Sequence, residues 1–446
     1  MSASPAAGAT KHVSFIALRS PSGRAYLGGT ALVMMADSIE HVISYWILFE
    51  KFHSPVLGGI AVITHWAPFL LLSVYTGALA DCFDPRRIIQ IGMAFFMLTS
   101  LGWAVLFLTD TLTWWNATIL LTLHGLAGVF WSPASQLLIH DIVGTAQLQS
   151  AIRLLAMART IGLLAGPAVG GAMLVWLDPA TGLFINILIY VPLTWWLWKA
   201  PYGPKFREED PGVYRKPIPS RTFSDYAATI RKIAGNNIIV SMTVLAGLAS
   251  FFIGVAIQPL MPAFSAHLGA EAARAAAAAA ISGDGHAHGA QMLGASTRYS
   301  MLMSANAAGA VAAGLILEFR GLLPAEPRTA IILTALWALT LIGFAATSNF
   351  LVAVTFLFAA GFLQLTYQAM TQTLVQLNAP PELRGRVIGL YQTSALGMMT
   401  FSGFTVGFGA SVLGVHWALI TSAAMLLALT AIIVPALLRT GHRTPA

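Results

Sequence analysis

Charge and cysteine are what this 446-residue chain has least of. Only 9% of its residues are charged, against roughly a quarter in an ordinary soluble domain. Cys82 is its sole cysteine, which excludes an intrachain disulfide scaffold and any paired-cysteine metal or redox centre. The scarcity of charge stands beside 57% apolar residues, too much apolar side chain to hide in a water-soluble core. Apolar and aromatic residues throughout also exclude a disordered or fibrous chain. No nucleophile–base pair, phosphate loop or zinc-spaced cluster supports catalysis, so neither an enzyme nor a cofactor is expected.

What is present is a succession of apolar runs, each near the ~20 residues needed to cross a bilayer. They predict twelve spans: Ala25–Phe49, Val56–Ala80, Ile88–Thr109, Thr113–Leu137, Ile152–Leu177, Thr181–Trp198, Ile238–Phe264, Thr297–Leu317, Arg328–Thr347, Phe350–Gln376, Val387–Leu413 and His416–Leu438. The net charge of +7 does not indicate a nucleic-acid binder, because the basic residues flank the spans. With both termini in the cytosol, 20 of the 24 lysines and arginines fall in cytosolic tails and turns. The expectation is an all-α polytopic protein of the cytoplasmic (inner) membrane. Its parts are a cytosolic tail (1–24), a six-helix bundle (25–198), a charged, proline-bearing cytosolic linker (199–237), a second six-helix bundle (238–438) and a short tail (439–446). An Ala-rich outer connection (265–296) carries Asp284, His286 and His288, a metal-ligand set without a rigid element to fix it. A solvated loop is the simpler reading there.

Two connections carry a recognisable pattern. After the second span the sequence reads Gly77-Ala-Leu-Ala-Asp81-Cys-Phe-Asp84-Pro-Arg86-Arg87, and after the eighth its echo reads Gly314-Leu-Ile-Leu-Glu318-Phe-Arg320. The fifth span contains Gly162-x-x-x-Gly166-Pro167-x-x-Gly170-Gly171, and Pro380-Pro-Glu-Leu-Arg384-Gly-Arg386 precedes the eleventh. Together these resemble the signature loop, its repeat and the antiporter motif of the major facilitator superfamily, in the branch of enterobactin exporters and macrolide-efflux proteins. Cys82 and Pro85 depart from the signature loop, standing where basic residues are usual. The resemblance implies alternating access between two six-helix bundles, with these residues serving the conformational switch. It also implies that the first, fourth, seventh and tenth helices line the cavity.

Polar groups at membrane depth are costly and are therefore the candidates for chemistry. The first span offers Asp37, Glu40 and His41, whose i, i+3, i+4 spacing puts them on one helical face. His65 and His124 fall at similar depth in the second and fourth spans, and Arg159 in the fifth is a potential partner for one of the acids. The tenth span contributes a stripe of amides, Gln364, Gln368 and Gln372, with Tyr367 beside it. Three functions follow in order of preference. The first is a proton-coupled exporter of a small organic molecule such as a drug, siderophore or metabolite, its two midplane carboxylates trading protons for cargo. The second is a divalent-metal carrier using Asp37 and His41, a pair resembling one in ferroportin-like members of the superfamily. A membrane enzyme or non-transporting receptor ranks last. The expected partners are the lipid bilayer, a small-molecule substrate and protons, with no nucleic acid and a monomeric chain.

Overall fold

The computed structural model describes residues 15–52, 55–203, 227, 230–254, 261, 263–265, 267–268, 287–320, 323–402 and 409–439. Among them there is no strand, and nearly all are helical. A short turn of helix, α1 (Ile16–Arg19), precedes six long helices: α2 (Pro21–Phe52), α3 (Pro55–Cys82), α4 (Pro85–Leu108), α5 (Trp114–Val143), α6 (Leu148–Trp176) and α7 (Pro179–Lys199). The second half holds α8 (Asn237–Phe252), α9 (Ala287–Arg320), α10 (Pro327–Ala346), α11 (Phe350–Asn378), α12 (Arg384–Gln392), α13 (Met399–Ser402), α14 (Gly409–Leu413) and α15 (Val415–Arg439).

Local chemistry sets the helix starts. Several open on proline, whose fixed φ suits a first turn and whose missing N–H would have no partner there. Asp84, Thr113, Asp178, Asn236 and Asn349 cap the helices that follow them by accepting backbone N–H bonds. Pro85, which breaks the signature pattern, is the first residue of α4 behind the Asp84 cap.

Nine helices among the described residues are long and apolar enough to cross a bilayer. The predicted spans missing from that set have local causes. The first, within α2, is diluted by its own acidic and histidine residues. The seventh does not run unbroken from Ile238: α8 stops at Phe252, and Gly254 follows with φ of 42°. The eleventh is likewise not one α-helix, because a π-helical turn, Thr393–Gly397, separates α12 from α13. The carbonyl of Ala395 in that turn accepts a bond from Ser250 Oγ at 2.6 Å, so a side chain of α8 is fixed on the irregular backbone. The eighth helix begins at Ala287, well before the predicted Thr297. The outer loop's Asp284 and His286, and most of the linker 199–237, lie outside the described residues, as does the side chain of His288.

The helices pack as two bundles that meet along a seam. In the first, α2 lies along α6 while α4 packs on α5 and α7; in the second, α11 packs on α9 and α10, and α15 on α8 and α10. Tyr26, Met93, Phe96, Trp131 and Tyr190 belong to the core of the first bundle, and Phe264, Trp337, Leu341 and Phe344 to that of the second. Burial in a membrane bundle gives little hydrophobic free energy, so close approach matters more. Gly162 of α6 faces Ala31, Met34 and Met35 of α2, Gly166 faces Ser38, and Gly170 faces Ile39 and Val42. Across the seam, α12 packs against α3, and α9 and α11 pack against α6.

Candidate functional site

The helical spacing of Asp37, Glu40 and His41 directs all three toward α3, α4 and α5. There His124 of α5 bridges the two acids: its Nε2 lies 2.8 Å from Asp37 Oδ1 and its Nδ1 2.7 Å from Glu40 Oε1. His124 and Glu40 are each about 2% exposed. Ser100 Oγ of α4 donates to the other oxygen of Glu40, and Asn186 of α7 donates to Ser100 Oγ and to the Ala36 carbonyl. His41 Nδ1 lies 2.7 Å from the carbonyl of Asp37, which only accepts, so this nitrogen carries a proton. His41 Nε2 then faces His65 Nδ1 at 3.3 Å. Phe96 packs edge-on against the His124 ring, stacks on Tyr190, and walls the cluster on one side.

Proton bookkeeping gives this arrangement its chemistry. If both acids are ionised, the His124 ring must donate from both nitrogens and is an imidazolium; if one acid is protonated, a neutral ring satisfies the same contacts. Both arrangements hold the same protons, so the trio carries a single exchangeable proton, and its release leaves one ring nitrogen facing a carboxylate oxygen with no hydrogen between them. The nitrogens that His41, His65 and His124 can offer a metal also lie within 4.8 Å of one another, with Asp37 beside them.

Arg159 does not join the acids. Its guanidinium donates to Ser135 Oγ at 3.1 Å and lies 4.6 Å over the Trp131 ring, which corrects the expected pairing with Asp37 or Glu40. Position along α6 set its depth, but the helix turns it toward α5 below the cluster. On α11, Gln364, Gln368 and Gln372 are half-buried, whereas Tyr367 is buried against Trp337 inside the second bundle.

The two signature-like connections, expected to serve the conformational switch, gather at the face where α1 begins and α15 ends. Asp81 accepts from the backbone N–H groups of Gly385 (2.5 Å) and Arg386 (2.9 Å), capping α12 of the other bundle. Gly77 makes this approach possible, since a side chain there would strike the backbone of Gly385 and Gly389. Arg86 pairs with Asp84 at 2.6 Å and donates to the Ala200 carbonyl, while Arg87 bonds Gln90 and stacks over Trp198. The echo repeats the device: Glu318 of α9 accepts from Ser150 Oγ at the start of α6 and pairs with Arg153 at 3.2 Å. Arg384 lies 3.1 Å from His140 of α5. The side chain of Arg320 lies outside the described ones. Pro167 stays within an unbroken α6, and Gly171 has open space beside it.

Sequence reasoning missed Ser100, Asn186, Ser150 and the Gln136–Gln376 bond across the seam (2.8 Å). Neutral polar residues are common in membrane helices and carry no spacing signature. Only the repeated acid motif hinted that Ser150 and Arg153 would have a partner.

The comparisons with known proteins agree with this architecture. The chain matches the family described as transmembrane secretion effectors over residues 29–273 and 286–444. It is 25% identical over 209 residues to the "Staphyloferrin A transporter" of Staphylococcus aureus, a match covering 45% of this chain and 50% of that protein. The chain thus spans about half the length of this curated relative. In fold it is similar to the major facilitator transporter FucP in its outward conformation, with a TM-score of 0.67 at 9% identity over 94% of this chain and 98% of that one. It is also similar to the human organic anion transporter MFSD10, with a TM-score of 0.68 at 12% identity over 92% and 98% of the two chains. Twelve helices fit this fold, whose members carry solutes rather than catalyse reactions. The chain belongs to the transmembrane secretion effector family of the major facilitator superfamily.

Proposed function

We propose that this transporter is a proton-coupled exporter of a small organic molecule, working by alternating access in the cytoplasmic membrane as a monomer with both termini in the cytosol. The observation that carries the reading is His124 bridging Asp37 and Glu40 at membrane depth. In the outward-facing state the trio takes up a proton from outside. As cargo enters from the cytosol the trio releases that proton inward, so the gradient drives export. Holding two carboxylates together in low dielectric is costly unless a cation or a proton separates them, which ties the protonation state to the conformation. On this reading the Asp81 and Glu318 contacts hold the cytosolic face closed while the trio is open to the outside. The family's secretion description supports the outward direction.

The test uses proteoliposomes with an imposed pH gradient and a panel of small organic solutes. Asp37→Asn and Glu40→Gln keep shape and hydrogen bonding but cannot titrate. At least one is expected to lose gradient-driven accumulation while still binding solute. Normal pumping by both variants refutes proton coupling through this cluster. A second reading, transport of a divalent transition metal, is favoured specifically by the convergence of His41, His65 and His124. Zinc or manganese flux in the same vesicles, absent for every organic solute, would replace the first reading with the second.

A further inference from the structure

Arg159 is a cation without a counter-charge. Its partners are a hydroxyl, Ser135 Oγ, and the face of Trp131; its Nε is buried with no hydrogen-bond partner, and no carboxylate among the described residues pairs with it. The other arginine of the same helix is not left so: Arg153, buried nearer its start, is bonded to Glu318. A half-buried guanidinium at this depth is expensive, and packing alone does not call for it, since an apolar residue would lie on Trp131 more cheaply.

Its position adds the second observation. Gly162 lies against Ala31 and Met34, and Arg159 is about one turn nearer the chain-end face, roughly two turns below Asp37. Two and three residues before it, Met157 packs on Gly314 and Ala156 joins the apolar contact with Ala310, Leu317 and Leu365 of the other bundle. Next to Ser135, Gln136 bonds Gln376 across the seam. Arg159 therefore sits at the edge of the seam that alternating access opens, between the acid–histidine cluster and the closed face.

We infer that Arg159 is the recognition point for an anionic group on the cargo, and that the cargo is an organic carboxylate. This deepens the proposed function and rests on its reading of the cargo as a small organic molecule. A single guanidinium neutralises one negative charge. A carboxylate presents one charge in the planar, two-oxygen form that an arginine fork matches; a phosphate monoester brings up to about two and leaves part of it uncompensated in low dielectric. The Trp131 face, already against the guanidinium, offers an apolar body a surface to lie on.

The experiment measures binding to the full-length protein in lipid nanodiscs by calorimetry, using 2-naphthoate, its uncharged isostere 2-naphthamide, and 2-naphthyl phosphate. Wild type is expected to prefer the carboxylate to the amide by at least about tenfold, and Arg159→Gln to abolish that preference. If Arg159→Gln does not fold, Arg159→Lys serves: it keeps the charge but loses the fork, so the preference should shrink several-fold without vanishing. The inference is overturned by an undiminished preference in either variant, by equal binding of acid and amide to wild type, by no naphthoate binding at all, or by tighter binding of the phosphate. Carboxylate recognition without gradient-driven transport would instead count against the proton-coupling reading and leave the role of Arg159 standing.

Discussion

The two bundles share a reciprocal pair of cross-bundle contacts and differ in almost everything else. Each places an acid at the end of a helix on the same face, Asp81 and Glu318, and each acid reaches the start of a helix in the opposite bundle. In the interior the correspondence stops. The first helix of the N-terminal bundle is unbroken over 32 residues and bears Asp37, Glu40 and His41. Its counterpart α8 runs 16 residues, lined by Met242, Leu245, Ala246 and Ala249, and ends beside a glycine with positive φ. Where α5 offers His124, α11 offers half-buried amides. On the proposed reading the halves divide the labour: one holds the exchangeable proton on rigid helices, and the other holds neutral hydrogen-bonding groups and irregular backbone able to flex. A gate of this kind has to be built twice because both bundles must be held, whereas the proposed proton site is needed once.

The largest effect that tests this division is removal of His124. His124→Phe leaves Asp37 and Glu40 without the bridging imidazole, and losing one member of such a buried set costs about 3–5 kcal/mol. A marked fall in melting temperature and loss of gradient-driven transport are expected. Gln368→Leu, on the other bundle, is expected to alter affinity while proton coupling persists. If Gln368→Leu uncoupled transport as completely as His124→Phe, the assignment of the proton site to one bundle would fail.

The next effect probes the shared gate. Asp81→Asn and Glu318→Gln each weaken charge-assisted bonds to the opposite bundle, so each should slow turnover several-fold while solute affinity stays within a few fold. Comparable slowing in the two variants is the mark of a repeated device. Collapse of affinity with turnover intact would move these residues from gate to binding site. Within the N-terminal bundle, Gly166→Leu should abolish activity, because its side chain would be driven into Ser38 on α2, whereas Gly171→Ala should be silent with nothing near it. Transport at wild-type rate by Gly166→Leu would remove close α2–α6 packing from the account.

How much of the fold and the site is legible in the sequence follows from what periodicity encodes. Long apolar runs and the basic residues flanking them announce membrane helices, and an i, i+3, i+4 set announces a shared face, so spacing alone groups Asp37, Glu40 and His41. Depth alone places His65 and His124 at their level. Azimuth between helices is not encoded, which is why Arg159 can be given a depth and yet the wrong partner. Irregular backbone is equally hidden: Thr393–Gly397 contains ordinary helix-compatible residues, and its π turn coincides with a tertiary contact, Ser250 to Ala395, that no local pattern announces. Gln136 and Gln376, apart by more than half the chain, look like any two glutamines until the seam closes.

The smallest effect lies at the rim of the same N-terminal bundle, where acids are wet. Asp178 caps α7 by accepting from the Thr181 N–H at 2.9 Å, and hydrogen bonding to the Thr181 side chain, with that backbone bond second, holds its carboxyl below the usual carboxylate range. A group whose folded pKa is depressed adds stability above its unfolded pKa of about 3.9 and loses it as pH falls through the folded value. Asp178→Ala should therefore cost about 1 kcal/mol at neutral pH, the usual worth of a cap, with the gap to wild type narrowing in acid. Asp178→Asn, which still caps, should be close to neutral at pH 7 and show no such narrowing. Asp110→Asn, which removes the charge paired with Lys51 at 2.6 Å on an open surface, should matter less still, because solvent screens the pair and the Asp110 side chain is 91% exposed. Melting curves of the three variants from pH 3 to about 7 settle the order. Transport is expected to remain coupled in all of them, since none of these acids shares a proton with His124; loss of coupling in Asp178→Asn would mean that the proton route runs along the rim and not through the buried cluster.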